Sequence, residues 1–310
     1  MILTVTFNPA VDQTLQFDEP MAADRVMRAS DARFDAAGKG INVAQFLTAL
    51  DTECLATGVL GGFTGEFIRD RLASESVPTA FVEADEPTRL NTTALADGVE
   101  YKLNHDGPTV GRQTVEGILD IVRTHQPEQV VVSGSLPPGM TTDAVDAVAS
   151  AGDWDTAVDM GGERLRELDE QYDLCKPNRE ELGEATARDV STVEGCARAA
   201  DAFRADGFER VLASLGGSGA VLATDSELLF AEALDVDVVG TVGAGDALLS
   251  GVVAAWADGA DDATALRTGV AVATRLVSQA GTSVPDFGDI SADRDAVTVR
   301  DLTDERSADR

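Results

Sequence analysis

Short runs of β-branched and apolar residues alternate along this chain with stretches of helical period, and this alternation narrows the possible folds more than any other feature. ILTVTF (2–7) reads as a strand, INVAQFLTALD (41–51) as a helix with apolar residues at 41, 43, 46, 47 and 50, and CLATGVL (54–60) as a buried strand. The rhythm continues through GEFIRDRLASES, TAFVEA, VEGILDIVRTH and QVVVSGSLPPG. DAVDAVAS, ERLRELDEQY and EGCARAADAFRADG then read as helices between the strands TAVDM, LCKPN and RVLASLG. GAVLATDSELLFA reads as a pair of short strands, and two helices follow in ALLSGVVAAWADG and DATALRTGVAVATRLVSQ. Such alternation predicts an α/β protein whose central, mostly parallel sheet carries helices on both faces.

Two segments break the rhythm. VDQTLQF (11–17) and RVMRASDARF (25–34) read as amphipathic strands, and RLNTTALADGVEYKLN (89–104) as a hairpin turning at Asp97-Gly98. Together they predict a small separate β-sheet covering a cleft. The expected organisation is one domain over residues 1–290, with lid segments at about 11–34 and 88–105 inserted. A polar C-terminal tail, 291–310, would hold a late strand and then fray.

Charge excludes several classes of partner. Asp and Glu number 55 against 24 Lys and Arg, a net charge of −31, so a phosphate backbone would be repelled and nucleic-acid binding is not expected. The acids are spread over the whole chain, as in proteins adapted to concentrated salt, where self-repulsion is screened. No stretch approaches the ~20 apolar residues of a membrane span, and MILTVTFNPA lacks the basic and apolar regions of a signal peptide. Three scattered cysteines, Cys54, Cys175 and Cys196, suit a reducing compartment, and a cytoplasmic location is expected. Only three lysines occur, Lys39, Lys102 and Lys176, and two of them lie in glycine- or proline-marked motifs.

The sharpest motif is GTVGAGDALLSG (240–251). Gly243, Ala244 and Gly245 have no bulk and precede a helix, whose first amides lack partners and attract anions. Asp246 suits a base beside a phosphoryl acceptor, although a helix cap would also explain it. The stretch lacks the third glycine of a dinucleotide fingerprint, since Leu248 stands there, and has no GK[ST] of a P-loop.

VGAGDALLSG resembles the C-terminal signature of the PfkB-type sugar kinases, a branch of the ribokinase-like superfamily. FNPAVD, AAGKGINVAQFLTAL, TRLN, SGSLPPG, KPNREEL and SLGGSG follow that family's order, so the resemblance spans about residues 1–285. NPAVD, AGKGINVA and TRLN together look most like the 1-phosphofructokinases and the related tagatose-6-phosphate kinases. The resemblance implies a ribokinase-like fold with a β-sheet lid, ATP and Mg²⁺ as cofactors, a sugar phosphate as partner and a homodimer formed through the lid. The implied reaction is phosphorylation of fructose 1-phosphate at its C6 hydroxyl, giving fructose 1,6-bisphosphate. A kinase for fructose 6-phosphate or tagatose 6-phosphate stays open, as does a non-catalytic sugar-phosphate sensor.

The same resemblance assigns roles. Asp246 becomes the general base, and the amides of Gly243, Ala244 and Gly245 the anion hole for the transferring phosphoryl group. Asp12 and Asn42 hold sugar hydroxyls, and Gly38 and Gly40 let backbone approach the sugar. Lys39 and Arg89 clamp the substrate's own phosphate; Arg28, placed by spacing, and Ser133 complete the sugar side. Lys176 and Asn178 serve the nucleotide phosphates, Ser214, Gly216 and Gly219 line ATP, and Glu181 organises Mg²⁺ through water. Val272, Leu276 and Ser278 are expected to flank the adenine. Turn capping, surface ion pairs or plain packing would explain several of these residues equally well.

Overall fold

The computed structural model describes residues 1–279 and 284–307. Among the described residues, ten strands form one sheet. Seven run parallel: β1 (Ile2–Thr6), β4 (Cys54–Leu60), β5 (Thr79–Glu83), β8 (Gln129–Ser133), β9 (Asp155–Asp159), β10 (Tyr172–Cys175) and β11 (Phe208–Ser214). Three antiparallel strands extend it, β12 (Gly219–Ala223), β13 (Leu228–Glu232) and β14 (Val299–Asp301). The order across the sheet is β14-β13-β12-β11-β10-β9-β8-β1-β4-β5.

Successive residues of the parallel strands feed opposite layers, as the two-residue strand period requires. Leu3 and Val5 of β1 and Val130 and Val132 of β8 pack on one side with helices α3 (Arg112–His125), α4 (Asp143–Ala149), α6 (Arg179–Thr186) and α7 (Val193–Arg204). Ile2 and Val131 turn to the other side, against α1 (Lys39–Ala49), α2 (Gly62–Ser74), α8 (Ala244–Ala257) and α9 (Asp262–Val277). The chain also holds α5 (Gly162–Leu165) and α10 (Ser291–Ala296). The residues read as a polar tail therefore include α10 and β14, which pairs with β13; residues 308–310 of that tail lie outside the described residues.

The lid is a four-stranded sheet in the order β3-β2-β6-β7, with β2 (Ala10–Phe17), β3 (Asp31–Ala37), β6 (Arg89–Ala96) and β7 (Val99–Leu103). It consists of two hairpins joined by parallel pairing of β2 with β6, which sets Asp12 beside Asn91. Asp97 and Gly98 both adopt positive φ at the β6–β7 turn, the geometry of a tight hairpin.

Two elements differ from the sequence reading, and α6 is absent from it. β3 starts at Asp31, so residues 25–30 belong to the loop after β2. ERLRELDEQY, read as one helix, is helical only in its first turn, and Tyr172 begins β10. The reason is a tertiary competitor for its backbone. Asp146 Oδ1 accepts hydrogen bonds from the amides of Asp169 and Glu170 and from the Tyr172 hydroxyl, at 3.1, 3.1 and 2.6 Å.

Candidate active site

In parallel α/β sheets the loops beyond the carboxyl ends of the strands form the binding crevice. The candidate residues gather there, on the last residue of β8 (Ser133), β9 (Asp159) and β11 (Ser214) and just after β1 (Asn8), β8 (Gly134) and β10 (Lys176).

Helix α8 enters this crevice with Gly243 at its N-cap in the left-handed region, φ 78°, which glycine adopts without strain. The amides of Gly243, Gly245 and Asp246 have no backbone or side-chain acceptor among the described residues, whereas Ala244 N–H donates to the Thr241 carbonyl. Asp246 makes no cap hydrogen bond, so capping does not explain it. Its side chain is 6% exposed and its Oδ2 accepts a hydrogen bond of 2.7 Å from Asn42 Nδ2 on α1. Burial, and next the charge of Asp159, push its pKa up to about 6, while Asn42, Lys176 and Lys39 act in the opposite direction.

Lys39 and Lys176 meet on one carboxylate. Lys39 Nζ lies 2.7 Å from Asp159 Oδ1, and Lys176 Nζ lies 3.1 Å from Asp159 Oδ2. Burial alone would lower the Lys39 pKa; the Asp159 charge and hydrogen bond, with Glu181 and Asp246 behind them, carry it above the usual value. A Cβ built on Gly245 would stand 3.2 Å from Lys176 Nζ, which puts that ammonium against the open end of α8. Sequence reasoning missed Asp159, because a single Asp ending a buried strand leaves no local signal.

The sugar-side candidates cluster around the lid hinge. Asn91 Nδ2 donates to Asp12 Oδ1 at 3.0 Å, and Arg89 donates to the carbonyl of Asn8 at 3.0 Å. Burial raises the Asp12 carboxyl, with Asp35 adding to it and Asn91 and Arg89 opposing. Asn8 Nδ2 reaches the Asp106 carbonyl and Ser135 Oγ. Asn8 Oδ1, Asn91 Oδ1, Arg89 Nε and Ser133 Oγ are buried without a hydrogen-bond partner, an uncommon concentration for a native interior. Asn8 and Asn91 stand inside the quoted motifs FNPAVD and TRLN, so a signal for both was present.

Gly38 and Gly40 act on the protein's own backbone. A Cβ on Gly40 would fall 2.5 Å from Thr6 Oγ1 and 2.9 Å from the Val5 carbonyl, so glycine there lets α1 close against β1. Arg28 is not brought to the cluster. It is exposed in the loop after β2, beside Phe17, Asp18 and Glu19; Phe17 lies five strand residues beyond Asp12, roughly 17 Å along β2.

On the other side of Asp246 opens a cleft of ≈ 1120 Å³ lined by Asn178, Ser214, Gly216, Gly219, Ala244 and Gly245 among others. Arg179 ties two of its walls, donating to the carbonyls of Val190 and Ser191 and to Ser218 Oγ. Asn178 and Glu181 cap α6 reciprocally: Asn178 Oδ1 accepts from the Glu181 amide at 2.9 Å, and Glu181 Oε2 from the Asn178 amide at 2.8 Å. On α9 the residues facing the cleft are Val270, Ala273, Thr274 and Val277. The expected Val272 and Leu276 point the other way, into a cluster with Phe46 and Phe287, and Ser278 is not part of the lining. The helix was read correctly but its facing was not, because an apolar run gives no preferred side.

A buried carboxylate, a helix start with open amides and two lysines beside the cleft form an arrangement suited to phosphoryl transfer. The chain belongs to the pfkB family of carbohydrate kinases, whose family model matches residues 5–286, and it is an ATP-dependent sugar kinase. It is 54% identical to the 1-phosphofructokinase of Haloferax volcanii over 299 residues, covering 96% of this chain and 98% of that one. It is 34% identical to the 1-phosphofructokinase of Bacillus subtilis, over 82% of this chain and 85% of the other. The fold matches phosphofructokinase-2 from Escherichia coli in complex with potassium at a TM-score of 0.87 and 28% identity, covering 95% and 98% of the two chains.

Proposed function

We propose that the protein transfers the γ-phosphoryl group of ATP to the C6 hydroxyl of fructose 1-phosphate, giving fructose 1,6-bisphosphate. The observation that carries this is the buried Asp246 carboxylate at the open start of α8, between the sugar-side cluster and the cleft. Its similarity to two 1-phosphofructokinases selects the acceptor.

Asp246 takes the proton of the attacking hydroxyl, and Asn42 fixes the carboxylate's direction. The free amides of α8 stabilise charge on the transferring group where it develops. Lys39 and Arg89 hold the acceptor's own phosphate, and Lys176 the nucleotide's. A polyol would supply partners for the buried polar atoms of Asn8, Asn91 and Ser133, and Asp12 stands beside them to accept a hydroxyl. ATP lies along 214–219, and lid closure keeps water from the transferring group.

The donor set fits Mg²⁺ held mainly by nucleotide phosphates and water. Among the described residues no three acidic, His or Cys side chains form a cage, and Glu181 keeps one carboxylate oxygen beyond its capping bond. Bound there, Mg²⁺ would neutralise phosphate charge.

The lid also supports a dimer. One of its faces carries Leu15, Phe17, Ala94, Ala96, Val99, Tyr101 and Leu103, and the last three are 40–57% exposed. A second copy covering this face would bury them. Light scattering should give twice the chain mass, and Tyr101→Lys with Leu103→Lys should give the monomer; a wild-type monomer rejects the pairing.

The reaction is tested by offering fructose 1-phosphate, fructose 6-phosphate and tagatose 6-phosphate separately with Mg-ATP in molar KCl. The expected outcome is strong preference for the first. Preference for a 6-phosphate would transfer the clamp to another substrate, and no turnover with any would overturn this acceptor assignment and point to an untested sugar.

A further inference from the structure

We propose that Asp159 is a positioning residue that locks the acceptor-side and nucleotide-side lysines into one ion-paired triad and so sets the pH window of the site. The inference rests on the roles given above to Asp246, Lys39 and Lys176.

Asp159 is fully buried at the end of β9 and does not line the cleft beyond Asp246. Its backbone is fixed from both sides: its carbonyl accepts from the Gly134 amide after β8, and the preceding Val158 carbonyl accepts from the Lys176 amide after β10. Each carboxylate oxygen then faces one lysine: Lys39 donates a hydrogen bond to Oδ1 at 2.7 Å, and Lys176 pairs with Oδ2 by charge at 3.1 Å without a hydrogen bond. Lys39 arrives from the first turn of α1 and Lys176 from the end of β10, so elements distant in sequence converge on one anion.

Two ammonium groups this close repel, and a carboxylate between them offsets the repulsion. Lysine side chains are long and mobile, so anchoring both at one point pre-orients the two cations before either phosphate arrives. With Asp246, the cluster holds two positive and two negative groups. Asn42 on α1 donates to Asp246, and Glu181 on α6 is the remaining charged group acting on Lys39. Asp159 disfavours ionisation of Asp246 and favours the charged form of Lys39. A single residue thus influences both the base and the clamp.

The test is the pH profile of kcat/KM for Asp159→Asn and Asp159→Glu beside wild type. In Asp159→Asn the acid limb moves to lower pH, because the charge opposing Asp246 is gone. The alkaline limb also moves to lower pH, because Lys39 loses its counter-charge, and the plateau falls roughly 10–100-fold from misplacement. Asp159→Glu keeps both limbs and loses only height. A lower plateau with both limbs unmoved in Asp159→Asn overturns the proposal. So does an unmoved profile with a raised Mg²⁺ requirement, which would give Asp159 to the metal.

A second measurement needs no turnover. The chain has three lysines, so ¹³C-lysine labelling yields three side-chain signals. Lys39 titrating above the usual lysine range in wild type and falling in Asp159→Asn supports the triad, and Lys39 titrating below that range in wild type removes the triad even if the kinase reading stands. Wild type inert with all three sugar phosphates would fail the kinase reading and leave this titration intact.

Discussion

Asp246 gives the clearest account at the scale of one side chain. Loss of a positioned general base costs about 10²–10⁴ in rate, so Asp246→Asn should lower kcat by that factor with little change in KM. Wild-type turnover should fall as pH drops through about 6, where the carboxyl becomes protonated and cannot accept the substrate proton. The same group weakens the fold. Its pKa rises from 3.8 in the unfolded chain to about 6, so between these values the native state holds a proton that the unfolded state has released. Relative to its protonated form, the stability is complete below pH ~4 and is lost as pH rises through ~6, where the buried group ionises at a cost. Asp246→Asn should therefore unfold at higher denaturant than wild type at pH 8, by about 1–3 kcal/mol, with the gap closing near pH 4. Urea titrations at the two pH values check this. Asp246 was legible because glycines mark its backbone. Asp159 was not, since its partners lie on α1 and β10 and meet it only once the sheet is assembled.

Among the elements, α8 decides how accurately the site is held, and α9 decides where α8 sits. The two cross at glycines. A Cβ on Gly251 would stand 2.8 Å from Gly269 Cα and 3.0 Å from the Thr268 carbonyl, and backbone atoms cannot turn aside. Gly251→Ala should cost about 1–3 kcal/mol as the helices part, and it should lower kcat because the shift displaces Asp246. A thermal melt and a kcat value within error of wild type would contradict this. Most elements of the sheet could be read from the alternation of strands and helices, since both buried faces impose it. ERLRELDEQY could not: its local pattern favours a helix, but Asp146, on a different element, captures the backbone that would continue it. Arg28 shows a related limit, because spacing cannot reveal that a loop turns away from the site.

Over the whole molecule the dominant quantity is the net charge of −31. Such a surface repels itself in dilute buffer and is screened within ~3 Å in molar salt. The thermal midpoint should rise steadily from low KCl to molar KCl; equal stability across that range would count against a salt-adapted surface. The order of the chain also has a consequence for how such kinases change over time. Asn8, Asp12, Lys39, Asn42, Arg89, Asn91 and Ser133 all precede residue 135, while the cleft beyond Asp246 is built from residues 178–277. On the roles proposed above, acceptor preference and nucleotide handling are encoded in separate stretches. Mutations in the first half can move a descendant to a new sugar while its use of ATP is inherited intact.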